Sequence, residues 1–343
     1  GWLPNELLIL ILLHVVYAGG CKFVCKRWNT LCRDYQIKAV CGLARWVAFA
    51  DGTRSPKVMS GHTGYVLALA VGKDGKVYSG SDDETVNVWS GSTGELLQTL
   101  QGHTAWLRAL AIGHDGSVYS GSDDRTVKVW SGQNGTLLRT LDGHDWCVFS
   151  LAVDTLHVYS GSGDRTIRVW SCSTGQWVRT LTGHESYVVA LVMDNRGGKL
   201  YSGSYDDTIR VWSTSEHILI RTLMGHSNAV ATFAIGLDGT VFSGSWDTTI
   251  KVWSGTDGTL LHTLRGHNGY VYSLAIAPDV ALLSGDGYEM RVWDREQDWT
   301  GRVVEQGGSG VYALAAGTDG SAAEPDHSPF AWSLFANSPD QRL

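Results

Sequence analysis

Positive charge is scarce in this chain: 27 Lys and Arg stand against 34 Asp and Glu in 343 residues, a net charge of −7. No basic face is available to hold a phosphate backbone, so nucleic acid is not expected as a partner. Proline is also rare, at six residues. Cysteine occurs only at Cys21, Cys25, Cys32, Cys41, Cys147 and Cys172. The first four carry no CxxC pair and no nearby pair of histidines, and a zinc site needs tighter ligand spacing, so neither metal nor cofactor is expected. Six cysteines in so long a chain do not suggest a disulfide framework, which points to a reducing compartment, cytoplasmic and/or nuclear. Long hydrophobic runs are missing too. The apolar stretch from Leu7 to Ala18 is too short to span a bilayer. Glu6 precedes it with no Lys or Arg, which argues against a signal peptide, and no membrane association is expected. Because the chain begins at Gly1, a targeting segment upstream of it stays compatible with the sequence.

What the chain has in excess is glycine, 42 residues, and tryptophan, 15 residues. Both recur on a fixed period. Gly-His stands at Gly61-His62, Gly102-His103, Gly143-His144, Gly183-His184, Gly225-His226 and Gly266-His267, about every 41 residues. A matching tryptophan follows at Trp89, Trp130, Trp170, Trp212, Trp253 and Trp293. The cleanest copy, from Gly102 to Leu141, reads as four strands. Leu107–Ile112 is an apolar run closed by the turn signal Asp115-Gly116, and Val118–Ser122 is a second strand. Asp123-Asp124-Arg125 turns the chain, and Thr126–Trp130 alternates in polarity as a half-buried strand does. Asn134-Gly135 makes a hairpin into Leu137–Leu141. Such a four-stranded unit cannot bury both faces alone, so the units must stack around an axis.

These units resemble WD repeats, although most of the tryptophans precede Ser where that family usually has Asp; Trp293-Asp294 keeps the pair. The resemblance covers residues 56–335. A seventh copy begins at Gly307-Gly308, with Val311–Ala315 as first strand and Asp319-Gly320 as turn. Its second strand is replaced by AAEPDHSP, where Pro325 and Pro329 remove ladder donors, before Trp332-Ser333. Two readings fit: a degenerate blade, or an error in the coding sequence. Lys57-Val58-Met59 fits a fourth-strand position and would close the ring by completing the last blade.

Each copy also holds His, Ser and Asp, which invites a hydrolase reading. The sets are His62, Ser79, Asp83 with Trp89; His103, Ser120, Asp124 with Trp130; and equivalents in the next three copies. An enzyme needs one such site, not five. In the WD family these positions resemble a structural hydrogen-bonded tetrad, which satisfies buried polar groups. The sixth copy is one residue short, so Asp286 falls out of register with His267, Ser284 and Trp293, and that blade is expected to be looser.

The segment before the repeats differs in kind. Leu3-Pro4-Asn5-Glu6-Leu7-Leu8 opens an apolar helical pattern with Pro4 in a first turn, and Val24-Cys25-Lys26-Arg27-Trp28 follows. LPxELL followed by VCKRW resembles an F-box, the three-helix module that docks on the Skp-family linker of cullin-based ubiquitin ligases. The stretch between the two ends is about two residues shorter than that family's usual spacing. By position the resemblance gives Leu3, Pro4, Leu7, Leu8, Val24, Cys25 and Trp28 the linker contact. A capping helix packed on the propeller is the plainer reading.

The expected fold is therefore all-β: a seven-bladed WD-repeat β-propeller with a degenerate last blade, preceded by a small α-helical F-box-like segment. Its boundaries are 1–45 for the F-box-like segment, 46–55 linker, 56–335 propeller and 336–343 tail. By resemblance, the variable positions that face a partner are the residues flanking the first-strand valine and the one before the tetrad Asp. They include Tyr65, Asp82, Trp106, Arg108, Asp123, Phe149, Tyr187, Tyr205, Trp246, Tyr270 and Tyr272. Aromatic anchors favour a protein segment with aliphatic or Lys/Arg side chains over a phosphorylated one, which would need clustered arginines. The expected role is a target-recognition adaptor of a cullin-type ubiquitin ligase, binding a Skp-family linker and a protein or peptide substrate, and not an enzyme. The alternative is a WD-repeat scaffold with no ubiquitin link.

Overall fold

The computed structural model describes residues 10–14, 45–48, 57–194, 196, 198–276, 282–286, 289–295, 299–306 and 311–316. Those residues form 28 strands and no helix. Three strands come early: β1 (Leu10–His14), β2 (Arg45–Ala48) and β3 (Lys57–Ser60). Six four-stranded antiparallel sheets follow, each built from four consecutive strands. Blade one is β4 (Val66–Val71), β5 (Lys76–Ser81), β6 (Val86–Ser90) and β7 (Leu96–Leu100). Blade two is β8 (Leu107–Ile112), β9 (Val118–Ser122), β10 (Val127–Trp130) and β11 (Leu137–Leu141). Blade three is β12 (Val148–Val153), β13 (His157–Ser162), β14 (Ile167–Ser171) and β15 (Trp177–Leu181). Blade four is β16 (Val188–Asp194), β17 (Lys199–Ser204), β18 (Ile209–Ser213) and β19 (Leu219–Leu223). Blade five is β20 (Val230–Ile235), β21 (Val241–Ser245), β22 (Ile250–Trp253) and β23 (Leu260–Leu264). Blade six is β24 (Ser273–Ile276), β25 (Leu282–Gly285), β26 (Glu289–Asp294) and β27 (Thr300–Gln306).

Burial falls from first strand to fourth. First strands such as LRALAI are buried almost throughout, whereas fourth strands such as LLRTL show four exposed residues and one buried. The core lies between blades, not within them. One apolar cluster joins Tyr78, Val86 and Leu100 of blade one to Leu107, Leu110 and Trp130 of blade two, and the same pattern continues to blade six. The glycine of each Ser-Gly-Ser strand makes this approach possible. A Cβ on Gly121 would fall 2.7 Å from Val148 Cγ1 of the next blade, so no larger residue fits without displacing that strand.

The first strands neighbour one another in the order β4, β8, β12, β16, β20, β24. A seventh, β28 (Val311–Ala316), lies beside both β24 and β4 and closes the ring. Its hydrogen-bonded partner is β1, with Leu10 opposite Ala316 and Leu12 opposite Leu314. This departs from the helical expectation across Leu10–His14. Among the described residues, the apolar run LILLH is the strand that pairs with the first strand of the seventh unit through its backbone donors and acceptors. β2 lies beside β1 and pairs with β3, with Trp46 opposite Met59. Lys57–Met59 is a strand as expected, but Arg45–Ala48, read as the end of the helical segment and linker, is its partner. Trp332-Ser333 and the proline-bearing stretch lie outside the described residues. No helix among the described residues is long and apolar enough to cross a membrane.

Candidate protein-binding face

The frame of the face is the His–Ser–Asp–Trp set of each blade. In blade two, His103 Nδ1 lies 2.6 Å from Asp124 Oδ2, and His103 Nε2 lies 2.7 Å from Ser120 Oγ. Trp130 Nε1–H donates to the same Ser120 Oγ at 2.8 Å. The serine hydroxyl, receiving from Trp130, donates onward to His103 Nε2, and the Nδ1–H of the imidazole donates to Asp124. Thr126 N–H and Oγ1–H also donate to Asp124. Burial pushes the Asp124 carboxyl up, but the hydrogen bonds from His103 and Thr126 outweigh it and hold it well below the ordinary range. Asp164, Asp206 and Asp247 are held down in the same way. Burial lowers His62 and His184 against the pull of their carboxylates, which suits the neutral tautomer the network requires.

These distances match a hydrolytic triad, yet the arrangement cannot act as one. Ser120 is fully buried, its oxygen already receives the indole N–H, and the same geometry recurs in six blades. A nucleophile needs an open approach to its oxygen.

Blade six corrects the expectation of a loose tetrad. His267 Nδ1 lies 2.9 Å from Asp286 Oδ2, His267 Nε2 lies 2.6 Å from Ser284 Oγ, and Trp293 Nε1–H donates to Ser284 at 2.7 Å. Counted from Ser284, Asp286 occupies the position held by Ser245 in blade five. The turn is one residue shorter, which brings the carboxylate of this earlier residue to the imidazole. Its Oδ1 accepts Glu289 N–H at 2.7 Å, the role that Asp247 plays toward Thr249. His267, Asp286 and Glu289 bring three ligand atoms close together. Arg291 Nε donates to Glu289 at 2.5 Å and neutralises that carboxylate, so the cluster reads as part of the frame and not as a cation site.

On this frame the Gly-His loops and the turns before the tetrad Asp come together. Asp123 N–H donates to Trp106 O, and Tyr205 N–H donates to Tyr187 O. The residue after the first valine is a β-bulge in blades one to five, breaking register between Val66 and Ala68, Leu107 and Ala109, and so on. A bulge re-aims its side chain out of the ladder. In blade two that residue is Arg108. Its Nε and Nη2 donate to the two carboxylate oxygens of Asp123 at 2.9 and 2.8 Å. Its guanidinium carbon lies 4.9 Å from the Trp106 ring centre and 5.9 Å from that of Phe149.

From Phe149 the rings run on around the face. Phe149 stacks on Tyr187 at 6.0 Å, Tyr187 meets Tyr205 at 5.7 Å, and Tyr205 meets Trp246 at 4.9 Å. Trp246 stacks on Tyr270 at 5.1 Å, and Tyr272 meets both of those rings. Of the residues expected here, the structure joins Trp106, Arg108, Asp123, Phe149, Tyr187, Tyr205, Trp246, Tyr270 and Tyr272 into one arc. Tyr65 and Trp106 are 49% and 40% exposed, open to a partner. Asp82 is half-buried in the blade-one turn, and burial pushes its carboxyl up.

Sequence reasoning missed Trp146, which is 48% exposed on the blade-three loop. Its signal was Gly163. A Cβ there would collide with Trp146 and Phe149, and the turns of blades one, two, four and five carry Asp or aromatic side chains at that position. Leu3, Pro4, Leu7, Leu8, Val24, Cys25 and Trp28 lie outside the described residues.

The ring of four-stranded units and its repeated tetrad define a WD-repeat β-propeller. Residues 54–90, 94–131, 135–171, 175–213, 218–254 and 258–294 match the family model described as WD domain, G-beta repeat. Together these segments span well over half of the chain, which belongs to the WD-repeat family. Residues 2–39 match the F-box domain model, and the chain is an F-box/WD-repeat protein.

Proposed function

We propose that this protein is the target-receptor subunit of a cullin-type ubiquitin ligase. The F-box docks the Skp-family linker through Leu3, Pro4, Leu7, Leu8, Val24, Cys25 and Trp28. The aromatic face of the propeller holds an unphosphorylated target segment. Transfer chemistry takes place on other subunits, and this chain contributes proximity, raising the effective concentration of target at the ligase. In this reading the protein is an adaptor, not an enzyme, and works in the cytoplasm and/or nucleus. The observation that carries it is the F-box match standing directly before a propeller whose loop face is lined with partly exposed rings.

The runner-up is a WD-repeat scaffold without a ubiquitin link. The pairing of Leu10–His14 with Val311–Ala316 favours it, because that strand draws the middle of the F-box match into the ring. Capture of a purified Skp-family linker by the full chain decides between them. The intact chain captures it, and the double variant Leu7→Asp/Trp28→Ala loses it. An intact chain that captures no linker removes the ligase reading and leaves the scaffold.

A further inference from the structure

The two ends of the aromatic arc differ, and the difference bears on the chemistry of the target. The argument rests on the propeller face holding a protein segment. On blade two the molecule builds a complete seat for a cation and fills it with its own side chain. Arg108 lies against the rings of Trp106 and Phe149, and Asp123 closes the far end with two hydrogen bonds. Blades four and five also present rings: Tyr205 and Trp246 at the turn position that Asp123 holds in blade two, and Tyr270 on the following Gly-His loop. Tyr205 lies 4.9 Å from Trp246, and Trp246 lies 5.1 Å from Tyr270 with the planes 11° apart. The residues at the position of Arg108 are here Val189 and Ala231, both buried and too short to occupy the seat.

A carboxylate is present in the same turn, at the position that Arg125 holds in blade two. Asp207 follows Asp206 in the blade-four turn, with the left-handed φ of +66°. Burial pushes its carboxyl up, and the like charges of Asp206 and Asp247 push it further. The Gly-His loops of these blades read TGHESY and MGHSNA, and their turns read YDDT and WDTT, with no Lys or Arg. The buried Nε1–H of Trp246 has no acceptor. Rings and carboxylates thus share loops whose own sequence supplies no cation, although Arg210 of β18 reaches Gly183 from within the blade.

We propose that a Lys or Arg side chain of an unphosphorylated target segment packs on the outer surface of the Tyr205–Trp246–Tyr270 ring stack and pairs with Asp207. The ring faces attract the cation. Asp207 supplies a charge-assisted hydrogen bond. A phosphorylated segment is disfavoured here, because Asp206, Asp207 and Asp247 would repel it and Arg108 is already neutralised by Asp123.

The test uses the full chain and an array of random decapeptides, each made with and without phosphorylated Ser/Thr. Unphosphorylated binders enriched in Lys or Arg are expected. Replacing the selected cation by norleucine weakens binding by about 10-fold. Raising NaCl from about 50 to about 500 mM weakens it by roughly 3-fold or more. Asp207→Asn and Trp246→Ala each cost about 5-fold or more. Tyr270 is 44% exposed, so Tyr270→Ala gives the same loss on a fold that tolerates truncation, should Trp246→Ala unfold. Binders that require phosphate, binders without a cation, binders indifferent to Asp207→Asn and Tyr270→Ala, or an array with no binder at all each overturn the proposal. Linker capture, measured on the same preparation, separates the two readings. Captured linker with no basic-peptide binding removes only this inference, whereas basic-peptide binding with no linker removes only the ligase role.

Discussion

Asp286→Ala tests whether the shortened turn of blade six is a working tetrad. The side chain is fully buried and accepts from His267 Nδ1–H at 2.9 Å, Gly269 N–H at 3.2 Å and Glu289 N–H at 2.7 Å. Removing it strands these three donors in a fully buried site. Each unsatisfied buried donor costs about 1–3 kcal/mol. The three share one cavity that water can partly refill, so the sum is on the order of 3–5 kcal/mol. In blade two, Asp124→Ala also frees donors from His103, Thr104 and Thr126. That carboxylate is 9% exposed, so solvent reaches the donors more readily and a loss of about 2–4 kcal/mol is expected. For a domain of this size the Asp286→Ala loss corresponds to a fall in Tm of roughly 5–8 °C. Urea midpoints and thermal melts of the two variants, with far-UV circular dichroism to confirm the sheet, make the comparison. An Asp286→Ala cost below about 1 kcal/mol beside a large Asp124→Ala cost would refute the reasoning and restore a loose sixth blade.

Three further outcomes follow from the same geometry. Folded-state values are lowered at His62 and His184, so the unfolded chain binds more protons there; their contribution is complete above about pH 6.5 and declines as pH falls through it. Asp124, Asp164, Asp206 and Asp247 are also lowered, and their contribution declines below about pH 4, so Tm must fall in two stages; a flat Tm between about pH 7.5 and pH 4 contradicts this. Thr248 is β-branched and holds a φ of +67°, so Thr248→Asn should raise stability by about 0.5–1 kcal/mol in urea unfolding, and an unchanged or lower midpoint refutes the strain. Arg108→Ala leaves Asp123 half-buried and unpaired, so it should cost about 1 kcal/mol more than Arg108→Ala/Asp123→Ala; a double variant that is the less stable of the two rules out the pairing as drawn.

The blades were legible because period and pattern agreed. Leu107–Ile112, Val118–Ser122 and Leu137–Leu141 are strands with the expected bounds, and the third strand starts one residue later than expected, at Val127. Asp286 was not legible. Counting residues from Ser284 assigns it to a serine position, and only the shortened turn shows its carboxylate reaching the imidazole. Leu10–His14, inside the F-box match, is a strand where a helix was expected: a short apolar run fits either, and its partner lies some 300 residues away at Val311–Ala316. The bond between Arg108 and Asp123 had a visible trace, opposite charges at two facing positions of one blade, but only coordinates show that it uses both carboxylate oxygens.

The division of labour within a blade has an energetic basis. His, Ser, Asp, Thr and Trp satisfy one another inside the frame, so a change at any of them leaves a buried group without a partner. The bulged residue and the turn residue before the tetrad Asp lie outside that network. Arg108, Phe149, Val189 and Ala231 occupy equivalent bulges in blades two to five without altering the ladders around them. Side chains at these two positions can therefore change charge and shape at little cost to the fold. Recognition is free to vary where the frame is not, and the same reasoning locates the target's contact on blades four and five. There the bulges are small, the rings stack on one another, and the blade-four turn adds a second carboxylate, Asp207, on loops with no Lys or Arg.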